Sequence, residues 1–594
     1  MAEEKKDYAK VLSPSVKFKQ SHRGQALMFP PLIDELIPLN HPVRLVDELV
    51  DEMDLKELLL TYKSGGASSY PAREMLKLLI YGCVDRSYSV RVLEQQCQEN
   101  VCYMWLMGGL QPDHGTIHHF RRHKLGKDVK VVFAELLKTV FKEGYVRLKT
   151  QMTDGTIIES VANRYTYVWF KNIDRYKGNL DQKIDQMIEE INRRVEAADQ
   201  EEEKAKASVE AVVKDEVDQE REAEESKQMM SSDDVLAFIE EQSKSEDPDI
   251  QRSLKQLAGK LVPKLKEYEK HLEILDGRNS YSKTDPDATF MRQKKDFGKK
   301  EATPLPSYNL MISTEDQFII NYTIHQNSND GRNYKSHTID TLEMLESQQL
   351  PTFIRAHGDA AFGTGENYEF IENLGIENYL KHQDYHRKNK AKLSDHPSEV
   401  ANLHYNEAKD FYVCPMGQQM TRQQDSHGKT ATGHEHTYAN YQAKNCDQCP
   451  LRGSCFKAEG NRIIRVNQKL KKHRAQAEQN LNSLQGIRLR SKRSVDVEPV
   501  FGHIKYDRRF SRTTMWGKEG AETMIGLISI AHNIKKIWNK RQSAGTPTPT
   551  CQNMPPKTAK QAIKNAKTGQ FPLRQPTPPL ILAIGYERSH RMTA

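Results

Sequence analysis

Three acidic residues stand in settings that suit metal-assisted chemistry on a phosphate. Asp154 lies in Leu148–Ser160, LKTQMTDGTIIES, at the end of a short strand-like run. Asp359 lies in residues 351–363, PTFIRAHGDAAFG, at the end of a second such run. Glu498 lies in residues 493–505, RSVDVEPVFGHIK, inside a helix-like pattern. Two strand-end aspartates and a helical glutamate are what a two-metal phosphoryl-transfer site needs. Their hard oxygens hold a pair of Mg²⁺ ions that activate the attacking oxygen and stabilise the leaving one. Lys505 follows Glu498 by two helical turns and falls on the same side, where it can meet a phosphate. Each acid alone has a duller explanation, since an aspartate capping a strand end is common. The elements around them must decide.

Those elements occur in a telling order. VKVVFAELLKTVFKEGYV is an amphipathic helix leading into the Asp154 strand. After a long charged stretch, YNLMIST and QFIINYTIHQ read as a hairpin. SHTIDTLEMLESQQL is a helix, TFIRAHGD the strand ending at Asp359, GENYEFIENLG a helix ended by Gly375, and IENYLKH a strand. A helix carrying Glu498 comes last. The apolar face Val497, Val500, Phe501 and Ile504 supports that helix, and Pro499 predicts that it begins near Glu498. Asp496 is a rival carboxylate on a different face. Glu366 falls at a helix start, where the dipole favours an acid. This order, with acids at three places, is that of an RNase H-like α/β fold.

The chain has 594 residues, too many for one core. A hydrophobic content of 37% and a mean hydropathy of −0.76 predict that part of it is extended. The net charge of +7 hides an acidic middle, with basic stretches at the end of the N-terminal domain and around Glu498, an asymmetry that suits a nucleic-acid partner. No apolar run has the length of a membrane span, and MAEEKKDYAK has no signal-peptide core, so no membrane partner and a cytoplasmic location are expected.

Residues 1–30 read as a flexible N-terminus, and 31–127 as helices, with Pro42 and Pro71 near helix starts. Asp113 can cap a helix that offers His118, Arg121 and Arg122 on an exposed face. That face suits either DNA contact or a solvated bundle. Residues 173–280 are charged, with eleven acidic and four basic residues between Glu201 and Glu225. They predict a helical hairpin, a coiled coil or a partly disordered spacer, with Pro263 kinking its last helix. TDPDATFMRQKK, Thr284–Lys295, holds Asp285 and Asp287 in what reads as an ordinary turn. The tail, 541–594, has the composition of a disordered segment.

Of eight cysteines, Cys414, Cys446, Cys449 and Cys455 cluster in residues 395–470 among Gly- and Pro-rich turns. They suit a closed Cys₄ Zn²⁺ site with a structural role, in which His434 or His436 could replace a ligand. The alternative is four ordinary reduced thiols. Cys83, Cys97, Cys102 and Cys551 show no grouping.

The words around the three acids resemble the DDE transposases of bacterial insertion sequences. TDGTIIESVANRYTYVW resembles that family's first motif, in which an acidic strand end leads into Asn-x-Tyr-x-x-x-Trp. Asp359, Ala360, Phe362, Gly363, Asn367 and Gly375 fall where its second motif has them. Lys505 fits the lysine that follows its glutamate. The arginine expected four residues before the glutamate is replaced by Ser494, with Arg493 one place off. The resemblance covers roughly 31–172 and 281–540.

The resemblance implies an RNase H-like mixed α/β catalytic domain in three pieces, 128–172, 281–394 and 471–540. It further implies an N-terminal all-α DNA-binding domain (31–127), a helical or coiled-coil insertion (173–280) and a zinc-binding insertion (395–470). The implied activity is binding of terminal inverted repeats, metal-dependent cleavage at the element ends, and joining of a 3′-hydroxyl to target DNA. Asp154, Asp359 and Glu498 would hold two Mg²⁺ or Mn²⁺ ions, and Lys505 a phosphate. Arg508, Arg509, Arg512, Arg121 and Arg122 would contact DNA phosphates. Tyr165 and Trp169 would stack on an unpaired base, or else are core aromatics. The implied partners are double-stranded DNA, as transposon ends and target, and a second copy of the chain in a synaptic complex on the nucleoid. Two alternatives are a nuclease of the same fold that cuts without joining, and a non-catalytic DNA-binding regulator.

Overall fold

A computed structural model describes residues 32–60, 62, 69–207, 231–245, 247–293, 303–385, 396–430 and 432–543. The expected flexible N-terminus, the tail beyond 543 with Cys551, and the centre of the acidic stretch lie outside the described residues.

The chain begins with short helices. Pro42 opens Pro42–Glu52 and Pro71 precedes Ala72–Val84, positions where a missing N–H costs little. Asp113 accepts from the Thr116 amide and caps His114–His119. Ala72–Val84 and the later helix Val129–Lys142 pack on the long C-terminal helix Gly517–Ser543. The contact is apolar, through residues such as Leu79, Phe133, Leu137, Ile528 and Ile534. The same core runs on into Leu310, Ile312 and Ile319 of the sheet, so the N-terminal helices share one hydrophobic interior with it.

That sheet is mixed. Its strands run in the order Thr289–Met291, Leu305–Glu315, Thr150–Glu159, Arg355–Gly358, Glu377–Leu380, and Phe318–His325 pairs with the far side of Leu305–Glu315. The Asp154 strand pairs antiparallel with Leu305–Glu315 and parallel with Arg355–Gly358. Asp316 and Gln317 turn the hairpin with φ of 55° and 65°, the left-handed pair that a two-residue turn between twisted strands requires. Asp154 departs from expectation in one respect. Its strand continues to Glu159, so the residue is mid-strand, but its parallel neighbour stops at Gly358, opposite Thr153. The lip of the sheet therefore falls at Asp154, and Asp359 is the next residue on the neighbouring strand.

Between the first two strands of this sheet the chain makes a helical excursion. Tyr167–Trp169 pairs with Ser280–Ser282 at its base. Helices Phe170–Ala207, Ser232–Gln242, Pro248–Gln256 and Val262–Leu275 close around Leu180, Ile184, Ile188, Val235, Leu254, Leu257 and Leu265. The described helices thus bury a core of their own, more than a bare spacer would. Pro263 lies inside a run that is helical from Pro248 to Leu275, directly after the π-helical turn Leu257–Leu261, so the ladder widens just before the proline expected to disturb it. Among the described residues, no helix is long and apolar enough to cross a membrane.

A second excursion is β-rich. His404–Asn406, Phe411–Val413, Gln419–Arg422, Ser426–Lys429, Glu435–Ala443 and Ile463–Val466 form an antiparallel sheet around Tyr412, Met420, Tyr441 and Ile464. Helices Gln468–Asn482 and Leu484–Gly502 follow, the second carrying Glu498.

Candidate active site

Arg493 joins the three carboxylates. Its guanidinium donates to Glu498 Oε1 at 2.8 Å and to Asp154 Oδ2 at 3.1 Å, and lies 3.8 Å from Asp359 Oδ2. One acid comes from mid-strand, one from the residue after the adjacent strand, and one from the helix across them. Each aspartate also accepts the amide that follows it, Gly155 N at 2.8 Å and Ala360 N at 2.7 Å, which fixes the side chains at the sheet lip. Hard oxygens from three elements, converging on one positive charge, are the donor set that a hard divalent cation takes. In the described residues no group of three or more His, Cys, Asp or Glu is close enough to hold an ion by itself. The cation that the acids share is the guanidinium.

The Glu498 helix is pinned by the hairpin turn. The Asp496 carboxylate is buried and accepts from Asp316 N at 2.8 Å and Gln317 N at 2.9 Å. Asp496 is therefore a helix-to-hairpin anchor. Pro499 does not start the helix but sits inside it, near the C-terminal end. A proline there leaves the carbonyl four residues back without its N–H, and Gln317 Nε2 donates to that carbonyl, Val495 O, at 2.6 Å. The side chain of the turn replaces the lost bond, and this is why the helix tolerates proline beside Glu498.

Gly155 serves packing. A Cβ there would stand 2.6 Å from Asp330 Oδ1, and that oxygen holds the Asn309 amide at 2.7 Å. Asn367 brackets the same region by donating to Gly331 O and Phe362 O. Glu366 lies in the first turn of Gly365–Asn373 and accepts from Thr432 Oγ1. The buried Asp285 accepts from Ser160, Tyr308 and the Gly517 amide, and Asp287 from the Lys518 amide, so the Asp-Pro-Asp turn ties the strand end to the C-terminal helix.

Lys505 Nζ reaches Thr156 Oγ1 and Ile157 O, each at 2.7 Å. Thr156 is two residues from Asp154 and shares its face of the strand. Lys381, at the end of Glu377–Leu380, was not singled out by any motif. Burial pushes its ammonium pKa down, as does the nearby Arg493, while Asp359 and Glu498 oppose them. Only its position at the end of the strand beside the Asp359 strand signals it in the sequence. Beneath, burial drives His357 to about 3, leaving a neutral imidazole.

The expected DNA contacts divide. Arg121 and Arg508 are only 4% and 6% exposed. Arg121 donates to Tyr88 O, and Arg508 to Cys83 O and Ala531 O. They fasten the N-terminal helices to the C-terminal one and present no guanidinium to a phosphate. Arg512 lies at the surface, but its fork is filled by the carbonyls of Ser160, Val161 and Ala162. Arg122 and Arg509 are exposed. Tyr165 is 85% exposed, whereas Trp169 is half-buried against Tyr167 and Phe290.

The cysteine expectation is not met. Cys414 and Cys446 pack against the apolar core of the β-rich excursion. Cys455 Sγ takes a hydrogen bond from Arg462 Nη1 at 2.9 Å, and all four thiols are free. Among the described residues, no group of three or more His, Cys, Asp or Glu gathers as zinc ligands. Tyrosines and aliphatic side chains fill the centre of the module instead.

Comparison with known families places two segments. A family model described as "Transposase DDE domain" matches residues 413–538, a span that holds Glu498. A second, "Transposase domain (DUF772)", matches residues 31–123, the N-terminal helices. Searches of curated proteins and of solved structures found no match.

Proposed function

Because its two family matches make this chain a DDE transposase of the insertion-sequence kind, we propose that it cleaves DNA at the ends of its element and joins them to a target. The observation that carries this reading is the meeting of Asp154, Asp359 and Glu498, from three separated segments, about one guanidinium. The mixed sheet, with its central strand bearing the first acid and the crossing helix the last, is read as RNase H-like. Two Mg²⁺ or Mn²⁺ ions, when bound, would activate the attacking oxygen and neutralise charge on the leaving one.

The chain's own residues supply position and charge. The strand lip fixes both aspartates, and the Asp496–hairpin anchor fixes the height of Glu498. Lys505 sits along the same strand face, where a phosphate oxygen of the bound strand can be met, and Lys381 adds a second cation beside Asp359. Arg122 and Arg509 are the exposed arginines left to contact backbone phosphates, and Tyr165 is placed to stack on an unpaired base. The substrate is double-stranded DNA, and pairing of two ends calls for a second copy of the chain.

The test is purified protein with Mg²⁺ and the DNA that flanks its own gene. The expected products are nicks at the element ends, then branched species in which those ends are joined to target. Ends cut but never joined would leave a nuclease, and no cutting with intact binding would leave a DNA-binding regulator.

A further inference from the structure

The guanidinium at the centre of the site is not needed to explain cleavage, and its placement has a cost. Arg493 is 9% exposed and is a long side chain drawn onto three acids from three elements. Its Nε is buried with no hydrogen-bond partner, so the arginine is not fully satisfied where it lies. The oxygens that it engages, Asp154 Oδ2 and Glu498 Oε1, belong to the groups that the proposed metal reading needs. Without a cation, three carboxylates at one lip would repel one another in a site of reduced dielectric. With divalent ions present, the guanidinium would face like charge and lose its acceptors.

We infer that Arg493 is a resident counter-ion of the metal-free site, which holds the three carboxylates together and is displaced when divalent cations enter. This rests on the metal-site reading above and deepens it. Arg493 is then a positioning residue in two states. Bound to the acids, it keeps the strand lip and the Glu498 helix in register. Released, its two-pronged fork is free for a phosphate oxygen, the acceptor geometry that it matches next best. Displacement links the two: a ligand that draws the fork away favours metal entry, and metal entry frees the fork.

The experiment titrates Mn²⁺ into wild type, Arg493→Gln and Arg493→Lys by electron paramagnetic resonance. Asp154→Asn/Glu498→Gln serves as the site control, and unfolding is followed for each protein in EDTA and in Mn²⁺. Removal of the competing cation is expected to tighten Mn²⁺ binding by about tenfold in Arg493→Gln, within the range usual for coupled sites. Arg493→Lys keeps a charge but cannot bridge three acids, and is expected to fall between. In EDTA both variants should unfold below wild type, and Mn²⁺ should raise them more than it raises wild type. A merely structural arginine would give a loss that Mn²⁺ does not restore. Equal Mn²⁺ affinity in wild type and Arg493→Gln would overturn the inference and leave the metal site standing. If Mn²⁺ binds no better to wild type than to the site control, the metal reading and the inference fall together.

Discussion

Asp154→Asn, Asp359→Asn and Glu498→Gln each leave end-DNA binding intact and reduce end cleavage by about 10³-fold or more. Each removes one negative oxygen from a site whose cations contribute several kcal/mol to transition-state stabilisation, and each tenfold in rate is roughly 1.4 kcal/mol. The substitutions are nearly isosteric, so the fold is expected to survive. Each also relieves repulsion among three acids that share one guanidinium. Cleavage at wild-type rate in any one variant would remove that residue from the site. Glu498 is the sharpest case, since Asp496 lies two residues away on the same helix.

Asp496→Ala is expected to do the opposite. Its buried carboxylate accepts two amides at the hairpin turn, and a hydrogen bond to a charged acceptor is worth about 1.5–3 kcal/mol. The turn borders solvent, and water regains part of that, so a net loss of about 2–3 kcal/mol and a fall of about 3–5 °C in unfolding midpoint are expected for a core of this size. Cleavage by the protein that remains folded should fall far less than in Glu498→Gln, because the anchor of the Glu498 helix is lost but all three site carboxylates remain. Thermal unfolding and cleavage on the two variants side by side decide the assignment. An Asp496→Ala protein that is stable and inactive would reverse the roles given to Asp496 and Glu498.

Much of the α/β core was legible because its signals are local. The hairpin strands are rich in β-branched and aromatic residues, with a polar turn between. The Asp359 strand is short and is followed by a helix that Gly375 ends with φ of 71°. The β-rich excursion was not legible as a sheet. Several of its strands have three or four residues, too few for an alternation to register, and the cysteines drew attention to metal chemistry instead. The helical excursion was legible as helix, but its charge masked the core that the helices bury. Its apolar residues are sparse but spaced at helical intervals, as in Leu180, Ile184, Ile188 and Ile191.

At the site, residue type and spacing singled out the three acids and Lys505, but not what touches them. Arg493 was visible only as an arginine one place out of step with a related pattern. A five-residue offset does not put it above Glu498 on an ideal helix, and its long side chain makes up the difference. Arg121 and Arg508 read as surface charge because they sit in basic runs. Only the packing of the C-terminal helix against the N-terminal ones shows that they are interior fasteners. The helix at Pro499 misled for a related reason, since the group that rescues it, Gln317, is far away in sequence.

The central claim is that Asp154, Asp359 and Glu498 hold the same cations. The most direct measurement loads the protein with Fe²⁺ and, with ascorbate and peroxide, lets the bound ion cut the nearby backbone. The account predicts three sets of fragments, with ends near 154, 359 and 498, all suppressed by excess Mg²⁺ and all lost in Asp154→Asn. Cuts confined to one of these segments, or clustered at the cysteines of residues 414–455, would contradict it.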